Sequence, residues 1–148
     1  DRAPLLLLAG GTGLAPILSV LDAALADGHE AEQIHVYHGV RSDRDLYAAD
    51  SLSRRARDQG FRFVPVLMQA NDRGQRAGHL HDAVAMDFDN LASARVYVAG
   101  PPPMVDAVRE VVKRRGTPAD RVRADAFHAA EPEKKSLWER ITGWGSLE

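Results

Sequence analysis

Five short β-rich runs recur, Pro4–Ala9, Gln33–Val40, Phe61–Leu67, Ala94–Ala99 and Arg121–Ala126, the first four the clearer, with helical patterns or loops between them. Leu5 to Leu8 is apolar at four successive positions. A strand wet on one face would alternate, so this run predicts a strand covered on both faces. Elsewhere the period becomes helical: Ile17, Leu18, Leu21, Ala24 and Leu25 fall on one side of a helix over Ile17 to Asp27 that stops near Gly28. A second helix covers Ala48 to Gln59 and ends at Gly60, and a third is short, Leu80 to Met86. The fourth starts at Pro102 or Pro103, turns Met104, Val105, Val108, Val111 and Val112 inward, and ends at Gly116. Strand and helix alternate, which predicts an α/β fold: a five-stranded parallel sheet sandwiched by helices, Rossmann-like in type. Met68 to Gly78 is polar and reads as a mobile loop. Residues 1–130 form one domain on this reading, and 131–148 a linker followed by a short amphipathic helix with Trp138, Ile141 and Trp144 free to dock.

Composition narrows the chemistry. A formal net charge of -2 with scattered arginines offers no stripe for a nucleic-acid backbone. The absence of cysteine removes disulfides, thiolate zinc sites, iron–sulfur clusters and cysteine nucleophiles together. Among six histidines only His79 and His81 are close in sequence, and a loop pair without carboxylates at ligand spacing is ordinarily solvated, so no metal is expected. No segment approaches the roughly 20 apolar residues of a membrane span, and Asp1-Arg2 is too short for a signal peptide, which points to a cytoplasmic protein and no membrane partner. The chain begins without Met and enters a core strand almost at once, as a piece of a longer polypeptide would.

Two turns carry the candidate chemistry. Gly10-Gly11-Thr12-Gly13-Leu14-Ala15-Pro16 follows the first strand directly and opens a helix. Glycines let a backbone approach a phosphate, a helix start presents N–H groups and a positive dipole end, and Thr12 adds a hydroxyl. The bland reading is a tight strand-to-helix connection. Gly11-x-Gly13-x-x-Pro16 lacks the third glycine of the Rossmann fingerprint, and no Gly-Lys-Ser/Thr follows as in a P-loop. The second turn, Ala99-Gly100-Pro101-Pro102-Pro103-Met104, is rigid, as befits a surface on which something lies flat; its bland reading is a stiff helix entry.

With these turns stand Tyr37-His38-Gly39-Val40-Arg41, then Asp45 and Tyr47, and Asp125-Ala126-Phe127. In that order and spacing, over about residues 3 to 128, the chain resembles the NAD(P)-binding domain of the ferredoxin–NADP reductase family, and more narrowly the reductase components of bacterial multicomponent oxygenases. The resemblance implies that Gly11, Thr12, Gly13 and Leu14 hold a pyrophosphate, with Pro16 setting the helix. It puts Val40, Arg41, Ser42 and Asp43 beside the adenosine ribose. It puts Gly100, Pro101, Pro102 and Met104 by the nicotinamide, and Phe127 against a flavin ring, although a phenylalanine after a strand is ordinarily a core or interface residue. Two departures stand out: Ala99 occupies the place where many members have cysteine, and Met68-Gln69-Ala70-Asn71 replaces the Ser-Arg-Glu-Gln type segment of NADP-dependent relatives. Arg41, Arg73 and Arg76 remain as cations for a 2′-phosphate, and NADH is the expected nucleotide.

The implied activity is an NADH-dependent flavin oxidoreductase in which hydride passes from nicotinamide C4 to flavin N5, with no side chain as general acid or nucleophile. FAD and a 2Fe-2S centre would sit on neighbouring domains of the same polypeptide. Electrons would leave through a ferredoxin domain to an oxygenase. The competing expectations are a flavohaemoprotein or ferric-type reductase, and a module that senses NAD(H) without turnover.

Overall fold

A computed structural model describes residues 3–46, 48–68 and 76–127; the expected linker and terminal helix at 131–148 lie outside the described residues. Six strands, β1 (Leu5–Gly10), β2 (Ile34–Val40), β3 (Arg62–Leu67), β4 (Arg76–Ala77), β5 (Arg95–Gly100) and β6 (Val122–Ala126), form one sheet in the order β4-β3-β2-β1-β5-β6. Every pairing is parallel. The five strands expected from the sequence are all present. The sixth, β4, falls in the stretch read as loop: its two residues pair Arg76 with Val66 and Ala77 with Leu67, and an element this short leaves no apolar run to detect. The rest of that expected mobile loop, 69–75, lies outside the described residues.

Four helices connect the strands, α1 (Leu14–Ala26), α2 (Ala49–Gln59), α3 (Leu80–Asp87) and α4 (Pro102–Arg114). The leucine run shows how they are layered. Alternate strand residues face opposite sides: Leu5, Leu7 and Ala9 join Leu14, Ile17 and Leu21 of α1 and Leu52 and Ala56 of α2. Leu6 and Leu8 join Leu80, Ala83 and Val84 of α3 and Val105, Val108 and Val112 of α4. All four leucines are at most 4% exposed, so each contributes roughly 1.5–3 kcal/mol of apolar burial. Helix α1 starts at Leu14, three positions ahead of the expected Ile17, because Gly11–Gly13 is itself a 3-10 turn that runs into it. No helix among the described residues is long and apolar enough to cross a membrane.

A polar tie crosses the α3 layer. The hydroxyl of fully buried Tyr37 donates to Asp87 Oδ2 at 2.6 Å, and Arg76 Nη1 donates to the same oxygen at 2.6 Å while Nη2 reaches the Ala83 carbonyl at 3.3 Å. Burial alone would raise the Asp87 pKa, but the hydrogen bonds from Arg76 and Tyr37 and the nearby guanidinium charges outweigh it and hold the carboxyl below its ordinary value. Two imidazoles on β2 are lowered as well, which for a base disfavours the charged form. Burial, reinforced by Arg62, lowers His35; burial lowers His38 against the opposing pull of its Gly11 hydrogen bond and Asp45.

Stability should therefore depend on pH in a defined direction. The unfolded chain protonates its histidines at their ordinary 6.5 while folded His35 and His38 resist, so their contribution is complete above that value and is lost as pH falls below it. Asp87 adds a second loss as pH drops through its depressed native value, below about 4. Urea midpoints should be level between about pH 8 and 7 and fall from about 6.5 downward. A midpoint unchanged down to about pH 5 contradicts the neutral, buried state of both imidazoles.

Candidate functional site

The chain builds outward from β1 in two directions, through β2, β3 and β4 on one side and β5 and β6 on the other. At the β1/β5 boundary the loops leaving the two strands diverge, one into α1 on one face and one into α4 on the other. The gap between these loops at the carboxyl ends of β1 and β5 is the topological crevice where open parallel sheets take their ligands; a separate hollow lies at the other end of the sheet, lined by Leu5, Arg95 and Tyr97.

One wall is the glycine turn after β1. Gly11 has φ +55, a conformation that suits glycine, and a Cβ added there would meet nothing within 4 Å, so the turn is open on its outer side. Gly13 differs. A Cβ there would strike the Ala99 carbonyl oxygen and come within 2.7 Å of the Ala99 carbonyl carbon. Gly13 is thus glycine so that the entry of α1 can abut β5, a role that the motif alone does not separate from making room for a phosphate. Thr12 is exposed, and Pro16 stands at the third position of α1, in the first turn, where a missing N–H breaks no helical bond. The turn is anchored from below: His38 Nε2–H donates to the Gly11 carbonyl at 2.9 Å, the imidazole being fully buried on β2. A carbonyl only accepts, so this geometry puts the proton on Nε2. Sequence reasoning gave His38 no role, since one histidine in a strand has no spacing partner to announce it.

The facing wall, after β5, has the opposite chemistry. Pro101, Pro102 and Pro103 carry no N–H, and the next two amides, Met104 and Val105, both bond to the Pro101 carbonyl, at 3.0 and 3.1 Å. No amide is left for an anion; the half-exposed rings of Pro101 and Pro102 make an apolar platform. Met104 packs between the walls. A Cβ on Gly10 would strike its sulfur, and one on Gly100 would lie 2.6 Å from its methyl carbon and 3.2 Å from the Gly10 Cα. Gly10 and Gly100 are small so that the two strand ends and Met104 fit together.

The remaining candidates flank this crevice along the same sheet edge. Val40 is buried at the end of β2, its carbonyl accepting the Met68 N–H at 3.0 Å. Arg41 is exposed, Ser42 bonds to Asp45 through both its hydroxyl (3.4 Å) and its carbonyl (3.1 Å), and Asp43 opens the 3-10 turn Asp43–Asp45. Phe127 follows β6, donates its N–H to Gly100 at 3.1 Å, and is half-buried against the cluster on the α1/α2 face. From β2 to β6 these segments form a row three strand spacings long, about 14 Å. Arg76 is withdrawn from the list of phosphate cations by its bonds to Asp87 and Ala83, and Arg73 lies outside the described residues. His79 and His81 stack at 5.3 Å, and among the described residues no three metal-ligating side chains converge.

Comparison with known proteins places the chain in a family. Residues 7–110 match the family described as the oxidoreductase NAD-binding domain. The reductase component of a naphthalene 1,2-dioxygenase system from Pseudomonas putida, described as ferredoxin–NAD(P)(+), is 40% identical over 127 residues, covering 84% of this chain and 38% of that protein. The reductase subunit of an aromatic O-demethylase from an Amycolatopsis species is 37% identical, covering 88% of this chain and 39% of its own length. A crystal structure of an Amycolatopsis cytochrome P450 reductase superposes with a TM-score of 0.79 at 38% identity, over 86% of this chain and 38% of that one. The chain spans well under half the length of these relatives. With a parallel sheet split at β1/β5, a glycine turn on one wall and a proline turn on the other, the chain belongs to the oxidoreductase NAD-binding domain family, as an NAD-binding domain of the ferredoxin–NADP reductase type.

Proposed function

We propose that the chain binds NADH across the β1/β5 crevice and presents its nicotinamide to a flavin carried by a neighbouring domain of the same polypeptide. The observation that carries this is the contrast between the walls: an open glycine turn leading into a helix N-terminus on one side, three prolines without N–H on the other. An anion is stabilised only on the first wall and a flat apolar ring rests best on the second. The pyrophosphate therefore lies at Gly11 to Leu14 with Thr12 at hand, and the nicotinamide lies toward Gly100, Pro101, Pro102 and Met104. The adenosine ribose falls to Val40, Arg41, Ser42 and Asp43 on the other side of β1. When bound, the nicotinamide C4 supplies a hydride to flavin N5. The residues of this chain orient and shield; none need transfer a proton.

Phe127, at the end of the row and half-buried, is placed to cover the flavin side of the crevice in the whole protein. Beyond the flavin we propose, from the resemblance of the motifs, that electrons pass through a 2Fe-2S centre on another domain, in the cytoplasm; the relatives named as a dioxygenase-system ferredoxin reductase component and an O-demethylase reductase subunit favour a ferredoxin or oxygenase as acceptor. NADH is favoured over NADPH because Asp43 stands in the ribose segment, where an acid accepts from a 2′-hydroxyl and repels a 2′-phosphate, and because Arg76 is engaged elsewhere.

Two expectations test the reading. Calorimetric affinity for NADH should exceed that for NADPH by at least about tenfold, the effect of one unpaired like charge; equal affinities refute the ribose assignment. The two glycines should separate. Gly11→Ala should fold with a loss of about 1 kcal/mol and bind NADH more weakly, whereas Gly13→Val should lose several times more stability by colliding with the Ala99 backbone. Urea melts and calorimetry on both variants decide, and a Gly13→Val chain as stable as the parent contradicts the close approach.

A further inference from the structure

We infer that His38 is a positioning residue for the dinucleotide: by holding the Gly11 carbonyl inward it keeps the Thr12 amide turned outward to the pyrophosphate. The inference rests on the reading of Gly11 to Leu14 as the pyrophosphate site. The Gly11 carbonyl and the Thr12 N–H belong to one trans peptide plane and point in opposite directions. Fixing the oxygen on the buried imidazole at 2.9 Å therefore fixes the N–H on the far side, where the turn is open.

The plane is also held from within, since the 3-10 turn Gly11–Gly13 engages the same carbonyl, and His38 adds an anchor from outside the turn. Gly11 is the one residue of the turn at positive φ, and glycine crosses between backbone regions at little steric cost. A flipped peptide would aim a carbonyl oxygen at the ligand where an N–H should be, replacing attraction for an anion by repulsion. It would also cost the buried imidazole this hydrogen bond, which opposes the flip. β2 delivers the imidazole to the spot through its register with β1, His38 lying beside Ala9, two positions before Gly11. His38 is also two positions before Val40, so one strand sets the ribose segment and the pyrophosphate turn relative to each other.

The test uses the full 148-residue chain, 15N-labelled and titrated with NADH, in three forms: parent, His38→Gln, whose amide can donate from about the place of Nε2, and His38→Leu, which fills space without a donor. In the parent the Thr12, Gly13 and Leu14 amides should shift on titration; if none does, the pyrophosphate reading itself fails whatever His38 does. Given those shifts, His38→Leu should raise the Kd about tenfold and lose the Thr12 response, while His38→Gln should stay within about threefold of the parent, as restoring one buried hydrogen bond allows. A His38→Leu chain with parental Kd and Thr12 response overturns the inference, as does failure of His38→Gln to restore binding. Should His38→Leu not fold, His38→Gln decides alone: parental affinity with a parental Thr12 shift supports the anchor, and weakened affinity in a folded chain overturns it.

Discussion

The entry of α1 meets the Ala99 carbonyl with no room for a side chain at Gly13, and the rest of the site follows from that contact. It locks the first turn of α1 to the end of β5 across the boundary where the strand order reverses. The loops on either side of the boundary cannot then close over each other, because α1 and α4 leave toward opposite faces of a sheet whose two surfaces are both filled. A crevice is what remains. Burial of four successive leucines in β1 fixes its floor, since each face of that strand is committed to a different helical layer.

Within the crevice the division of labour comes from one backbone group. Glycines keep their N–H and prolines lack it, so the Gly11–Gly13 turn is electropositive and the Pro101–Pro103 turn is neutral and rigid. A ligand with an anionic middle and a flat uncharged end is oriented by that asymmetry without any charged side chain on either wall. On the proposed reading this suits a domain that leaves the chemistry to cofactors, because orientation and exclusion of water are then what it has to contribute.

Much of this was legible in the sequence. Apolar runs of period one and helical stripes located five strands and four helices, because strands covered on both faces and helices covered on one leave unmistakable patterns. The order of the glycine turn, the ribose segment and the proline turn brought out the family. What escaped detection depends on contacts between segments distant in sequence. β4 is two residues long and is defined by its pairing with Val66 and Leu67, not by composition. The close approach of Gly13 to the Ala99 backbone is invisible in the glycine motif, and Arg76 reads as a free cation until Asp87 is found beside it. His38 was quoted as part of a motif, yet only the fold shows that its ring reaches the Gly11 carbonyl.

The central claim is that the two walls orient a dinucleotide, and a crystal structure of this chain with NADH bound tests it most directly. The account predicts the pyrophosphate oxygens within hydrogen-bond distance, about 2.7–3.2 Å, of the Thr12 to Leu14 amides, the nicotinamide against Pro101 and Pro102, and the adenosine beyond β1 over Val40 to Asp43. A dinucleotide lying the other way round, or a pyrophosphate held anywhere but the glycine turn, would contradict it.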